Sequence, residues 1–511
     1  MNKANKKADR AYSYIADLII VMTVIVANII IFTAGSLLGL RYYYQDEYDY
    51  SLSGHTDELF EEAITAGKKV KISFCMPEND LKVHTTGREV YITAKELEER
   101  YPDFIELDYV NIITRQNKDG ELINLSKYKI DKNLVDDEST EKKENEIPIY
   151  KTSVIFECGE EYKLLTDRYT QAGFSPFYVL DSSNYITAYN GEEVFAAMIR
   201  GVVSNDRKVA YFTQHHGETA DVAITNLLSY AGYTVNVVDL RKGGVPEDAD
   251  LLIISNPTSD FEAAREGSDL YTEIDRLEAY IERGGNLYVA LDPYVKNLNV
   301  LQGLLAEHGI KFSTSEDADG KIIRNMIKDS RNAITTDGFT LTAEFASGDT
   351  ASAISKRVSK YSDGGVIVRE VSALELSGNA KPILTSSSSS VLEAGGKTVS
   401  ASGSYCIAAA SEYAAKGGKV AKIFVIPSIY LSVSDALTSR EYSNKDFMYS
   451  LFQDFYGGGI MPYGCREVMY ASQVLENLTM GTARVYTAIV IAIPAAIAIT
   501  GTLVIVRRKN R

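Results

Sequence analysis

The sequence predicts an α/β protein built on an open parallel sheet, with a smaller α/β domain ahead of it and an apolar span towards each end. Three observations carry this reading. Between 208 and 293, short apolar runs alternate with amphipathic helical stretches, the pattern of parallel strands joined by helical crossovers. Two stretches, 18–40 and 485–506, are almost uninterruptedly apolar, each long enough to cross a bilayer. At 511 residues the chain exceeds what one hydrophobic core holds, so two or three domains are expected.

The central block opens with Lys208-Val-Ala-Tyr-Phe-Thr213, an apolar run of strand length. Ala223, Ile224, Leu227 and Leu228 then share one helix face. Residues 233–239 alternate as a second strand, and Asp250-Leu-Leu-Ile-Ile-Ser255 is a third. Ile274, Leu277 and Ile281 set a helix over 270–281, which Gly284-Gly285 stops. Asn286-Leu-Tyr-Val-Ala-Leu291 is a fourth strand, closed by Asp292-Pro293. Beyond 298 the pattern is less regular. A helix continues through 300–305, strands and loops fill 312–357, and a serine run at 386–390 reads as an exposed loop. Strands at 403–411 and 419–427 and a helix at 446–455 are expected to extend the central sheet after an insertion, giving a domain over 208–476.

Residues 51–207 read as a first domain. A helix at 57–66, a strand at 69–75, a helix at 93–99 and a strand at 104–112 come first. Thr93 is the expected N-cap of the second helix, with Glu96 at the capping-box position. A charged loop over 131–146, a hairpin of 152–157 and 161–165 across Gly159, and a helix at 191–203 complete it. This order resembles a thioredoxin-like domain. The dithiol position of that fold reads Cys75-Met76-Pro77-Glu78 here. With no second thiol, disulfide exchange is not expected, and Cys75 reads as a small buried residue. Cys75, Cys158, Cys406 and Cys465 are widely scattered, without CxxC or Cys/His metal spacing. No metal or other cofactor is expected. A disulfide stays open, and spacing alone cannot pair these cysteines.

Basic residues cluster outside both spans: Lys3, Lys6, Lys7 and Arg10 at one end, Arg507, Arg508, Lys509 and Arg511 at the other. The positive-inside rule then places 1–17 and 507–511 in the cytoplasm and the body on the outer face of the cell membrane, in contact with lipid through two helices. Tyr12, Tyr14 and Tyr42 to Tyr44 fit interfacial belts. The first span is long for a signal peptide and lacks a small-residue cleavage site before Arg41. Gly35-x-x-x-Gly39 and Asn28 are candidate contacts to another membrane helix. The whole chain carries a net charge of -16. With basic ends, the body is more acidic still, which argues against nucleic acid as a partner.

The best site candidate is Gln214-His215-His216-Gly217-Glu218, at the carboxyl end of the first central strand, where open α/β sheets bind ligands. Gly217 lets backbone approach a ligand, and the helix that follows offers N–H groups to an anion. The alternative is local packing, with Glu218 capping that helix. Asn256 and Asp292 end two further strands on the same edge and would ring the same crevice; each also suits a strand-terminating turn before proline. No Gly-x-Ser-x-Gly elbow and no phosphate-binding Gly-x-x-x-x-Gly-Lys-Ser/Thr loop is present. Cys406 lies in an apolar run rather than at an elbow. Catalysis is therefore not expected.

Five segments carry a family resemblance. They are the 208–218 strand and turn, Val245-Pro-Glu-Asp-Ala-Asp-Leu-Leu-Ile-Ile254, Gly284-Gly-Asn-Leu-Tyr-Val-Ala-Leu-Asp-Pro293, and Lys422-Ile-Phe-Val-Ile-Pro-Ser428 with Asn444-Lys-Asp-Phe447. The chain resembles the GldG-like auxiliary subunits of uncharacterised ABC-type transport systems, departing from the family's Gly-His-Gly-Glu-like turn with His215 in place of a glycine. The resemblance implies a flavodoxin or class I amidotransferase-like sheet, a partner permease, a cytoplasmic ATPase and no catalytic residues. Its implied function is that of a non-catalytic membrane subunit whose outer body meets a small-molecule or envelope ligand. Two readings compete with it: a membrane-anchored hydrolase or carbohydrate-active enzyme using 214–218, and an envelope scaffold or sensor.

Overall fold

The computed structural model describes residues 49–128, 149–165, 174–180, 186–204, 208–219, 221–263, 271–295, 298–316, 319–362, 364–439, 441–457, 461–462 and 464–470. Both predicted spans and the charged loop at 131–146 lie outside the described residues. Among the described residues, no helix is long and apolar enough to cross a membrane.

The first domain runs α1 (His55–Thr65), β1 (Val70–Phe74), α2 (Arg88–Arg100), β2 (Ile105–Tyr109), β3 (Val154–Cys158) and β4 (Glu161–Leu165). Its sheet is ordered β2-β1-β3-β4, with β1 and β2 parallel and β3 antiparallel to both neighbours. Strand alternation gives the sheet two unlike faces. Val70, Ile72 and Phe74 enter the core with Leu107 and Phe156. Lys71 and Ser73 point to the other side. Two short strands follow, β5 (Tyr178–Leu180) and β6 (Ile186–Tyr189), then α3 (Gly191–Val203). All of α3 but Arg200 is buried, because it packs on β3 and β4 on one side and on the first helix of the central block on the other. A helix covered all round in this way is core.

The central block comprises β7 (Lys208–Thr213), α4 (Val222–Tyr230), β8 (Tyr233–Val238), β9 (Leu251–Ser255), α5 (Glu273–Glu282), β10 (Asn286–Ala290) and α6 (Asn299–Glu307). After an insertion containing α7 (Asp349–Ser359), the chain returns through β11 (Cys406–Ala414), β12 (Val420–Ile426) and α8 (Asn444–Tyr456). It ends in β13 (Val468–Met469), which pairs with β6. The parallel strands are ordered β8-β7-β9-β10-β12. In order of appearance this is 2-1-3-4-5, the flavodoxin-like doubly wound order. β11 joins β12 antiparallel and carries the sheet on through Lys381–Thr385, Thr340–Phe345 and Val366–Arg369. Every residue of β9 is buried, as an unbroken apolar run requires of a strand covered on both faces.

Four expectations need correction. The helix expected at 93–99 starts at Arg88, so Thr93 is mid-helix and buried. Its hydroxyl accepts from Tyr189, and Glu96 accepts the Leu52 N–H rather than closing a capping box. The serine run is not an exposed loop: Ser386, Ser387 and Ser390 are buried. Burial is tolerated there because the Asp329 carboxylate takes the Ser387 N–H and hydroxyl, while Ser386 Oγ accepts the Tyr405 N–H. Within 312–357 the strands and loops give way to α7, whose buried Ala351, Ile354 and Val358 fall on one face. The helix expected from 270 begins at Glu273, because Asp275 accepts the backbone and hydroxyl of Thr272.

Gly309 closes α6 at φ +83°, and a Cβ there would lie 2.2 Å from the Ser377 carbonyl oxygen. The obstacle is backbone, so it cannot swing aside. Gly309→Ala should lower the unfolding free energy by about 2–4 kcal/mol, read by denaturant titration of the purified chain. An unchanged midpoint would contradict the turn.

Candidate functional site

The sheet reverses its order of growth between β7 and β9, and ligands of such sheets bind beyond the carboxyl ends of the strands at that point. The 214–218 loop leaves β7 there and fastens to both neighbours. Towards β8, the Gln214 N–H donates to Val238 O at 3.1 Å. His215, at φ +81°, sets Nε2 3.4 Å from Asp239 Oδ2. The bond from Arg241 holds the Asp239 carboxyl well below the usual carboxylate range.

Towards β9, the His216 carbonyl accepts the N–H groups of Thr258 and Ser259 at 2.8 and 3.0 Å. Gly217 has φ +78°, and a Cβ on it would sit 2.0 Å from Thr258 Oγ1. Glycine is therefore required by close packing of one loop on the other.

The His216 ring is buried and stacks on Phe261 at 4.1 Å. Nδ1 lies 3.1 Å from Glu218 Oε1, and Nε2 lies 3.0 Å from Glu273 Oε2. Burial alone would lower the imidazole pKa, but the bonds to Glu218 and Glu273 outweigh it and raise it above 6.5. For Glu218 burial pushes upward, while the bond to His216 and two backbone N–H groups bring the carboxyl below its ordinary 4.5. The imidazole thus has carboxylates on both nitrogens. With Glu218 on one nitrogen and Glu273 on the other, neither is open to take a proton as a general base in this arrangement. Among the described residues no cluster of histidine, cysteine and carboxylate groups is arranged to hold a metal ion.

The expected anion position at the start of α4 is filled by the chain itself. Asp221 accepts the Ala223 N–H at 2.8 Å, together with the N–H and hydroxyl of Ser434. Asp221 rather than Glu218 caps that helix.

Asn256 stands at φ +56°, donates its N–H to Ala290 O at 2.8 Å, and keeps a buried Oδ1 without a hydrogen-bond partner. Glu273 Oε1 is in the same condition. Asp292 belongs to a neighbouring cluster. Its carboxylate accepts the Tyr294 N–H at 2.8 Å, and its carbonyl accepts Arg324 Nη1 at 3.0 Å. Arg324 lies over the Phe312 ring, and burial pushes its guanidinium down to about 10.

The structure therefore brings 214–218 together with the Asn256–Ser259 turn and seats Asp292 with Arg324. Sequence reasoning missed Glu273, Phe261, Asp239 and Asp221. The pairing of Thr272 with Asp275 is the one local signal that would have placed Glu273 in a first helical turn. All four cysteines are free. Burial pushes the Cys75 and Cys406 thiols up to about 12, which leaves them poor nucleophiles.

No protein-family model and no curated protein matches the chain. Solved structures similar to it include the N-terminal domain of mmIFT52, at 16% identity and a TM-score of 0.35 over 50% of this chain and 99% of that one. A ThuA-like protein from Bacteroides uniformis is similar at 12% identity and a TM-score of 0.29, covering 50% and 94%. A glutamine amidotransferase from Thermotoga maritima is similar at 11% and 0.27, covering 49% and 99%. At such scores these likenesses carry no functional argument.

Proposed function

We propose that the chain is a non-catalytic membrane subunit of an ABC-type transport system, with its α/β body outside the cell and both termini inside. In this reading 18–40 and 485–506 cross the membrane, the first domain is thioredoxin-like, and the central block is the flavodoxin or amidotransferase-like sheet of GldG-like subunits. The observation that carries it is where the body's two ends lie. Arg466 Nη1 donates to Ser51 Oγ at 2.8 Å, the Tyr50 ring meets Tyr189 edge-on, and β13 pairs with β6, the strand that holds Tyr189. The described residues at the two ends of the body, 50–51 and 466–469, thus lie side by side, which suits a pair of anchors. The His216 ring, with Glu218 and Glu273 on its two nitrogens, fits a structural pin better than a catalytic base. Affinity purification of the tagged full chain in mild detergent should recover a polytopic permease and a nucleotide-binding ATPase. Recovery of neither would overturn the proposal.

A further inference from the structure

On the face of the first sheet away from its helices lies a cavity of about 180 Å³. Its floor is polar. Lys71 stands in register with Glu157, and Ser73 with Asp108, on adjacent strands. Among the described residues no α-helix lies over this face; the 122–128 segment, with a 3-10 turn at Leu125–Lys127, roofs it instead. Asp108 is only 1% exposed. Its Oδ1 accepts the N–H groups of Tyr109 and Lys118. Its Oδ2 lies 2.7 Å from Lys71 Nζ, so a buried carboxylate and an ammonium meet at the cavity floor. On the opposite wall Lys127 pairs with Glu157 at 2.8 Å and sits over the Tyr128 ring. Besides the two ion pairs, the lining is part aliphatic, from Val110, Ile123 and Ile155, and part polar, from Ser73, Asn124 and Tyr128; Leu122, also in the lining, is 79% exposed.

Burying a carboxylate beside a void costs desolvation that the Lys71 contact only partly returns. Small-ligand sites commonly have such a form, an enclosed apolar wall with a few fixed polar groups. We infer that this cavity binds a small zwitterion, a free α-amino acid with an aliphatic side chain. Its carboxylate would bridge the Lys71 and Lys127 ammonium groups. Its ammonium would fall between Asp108 and Glu157, and its side chain would lie along Val110, Ile155 and Leu122. The cavity's two positive and two negative groups match a ligand carrying one of each and discriminate against one carrying a single charge. The site is independent of the transport reading, since binding is measured on this chain alone.

The test is calorimetric titration of the purified full chain with L-alanine, L-valine and L-leucine, using propionate and propylamine as single-charge controls. An aliphatic amino acid should bind saturably and the two controls should not. Lys127→Ala, on the exposed side of the cavity, should weaken binding about tenfold or more, and Asp108→Asn should do the same, with circular dichroism confirming that both variants fold. Absence of saturable amino-acid binding would overturn the inference. So would equal binding of either control, or affinity unchanged in the folded Lys127→Ala chain.

Discussion

His216→Ala should lower the unfolding free energy by about 3–5 kcal/mol, the cost of breaking a buried, hydrogen-bonded charge pair from one side. Both ring nitrogens face carboxylate oxygens, and the bonds to Glu218 and Glu273 raise the imidazole pKa, which favours the imidazolium. Alanine removes the cation and leaves Glu218 and Glu273 buried without it. It also opens space against Phe261. The loss should depend on pH with a definite sign. The imidazole pKa is raised, so its contribution is complete below about 6.5 and fades as pH rises through the higher folded value. The Glu218 pKa is lowered, so its contribution is present above about 4.5 and fades as pH falls through the lower folded value. The stability difference between wild type and His216→Ala should therefore be greatest in mildly acidic solution and shrink on either side. Denaturant titrations of both chains across pH measure it. A difference that is flat with pH, or below about 1 kcal/mol, would show that the ring is not held as a cation.

How much of this was legible beforehand depended on how local each signal was. The strands of the parallel sheet are continuous apolar or alternating runs, and their type and succession along the chain could be read directly, though not their order across the sheet. Leu251 to Ser255 is buried on both faces, and nothing in the fold competes with that pattern. Helix α7 was missed because Ser352, Ser355 and Ser359 dilute its apolar stripe, and serine favours caps and turns when judged alone. The serine run at 386–390 looked solvated for the same reason. What buries it is Asp329, 58 residues away from Ser387. At the site, the chain fixes the position of the 214–218 loop but not the state of its histidines. The second carboxylate on His216 comes from Glu273, 57 residues distant. Without that partner two adjacent histidines and a glutamate read as a ligand-binding turn; with it they read as a pin between the loop and the start of α5.

Glu192→Ala should have the other large effect, again about 3–5 kcal/mol, because one buried carboxylate serves four donors and each orphaned donor costs roughly 1–3 kcal/mol before relaxation. Glu192 Oε1 accepts the Ser53 N–H at 2.9 Å, the Ser53 hydroxyl at 2.6 Å and the Thr56 hydroxyl. Its Oε2 accepts the Arg466 N–H at 2.6 Å. Ser53 and Arg466 lie at the opposite ends of the described body, so one side chain on α3 holds both ends. The neighbouring Glu193 instead binds Lys445 and Tyr449 of α8, so each carboxylate at the start of α3 holds a different region. Alanine at 192 should release the ends before it unfolds the sheets. Hydrogen exchange should rise first at the amides of Ser53 and Arg466, while β9 stays protected. Glu192→Gln, which keeps one accepting oxygen, should lose less. Protection unchanged at both amides in Glu192→Ala would show that the ends are held by β13 and the Arg466–Ser51 contact alone.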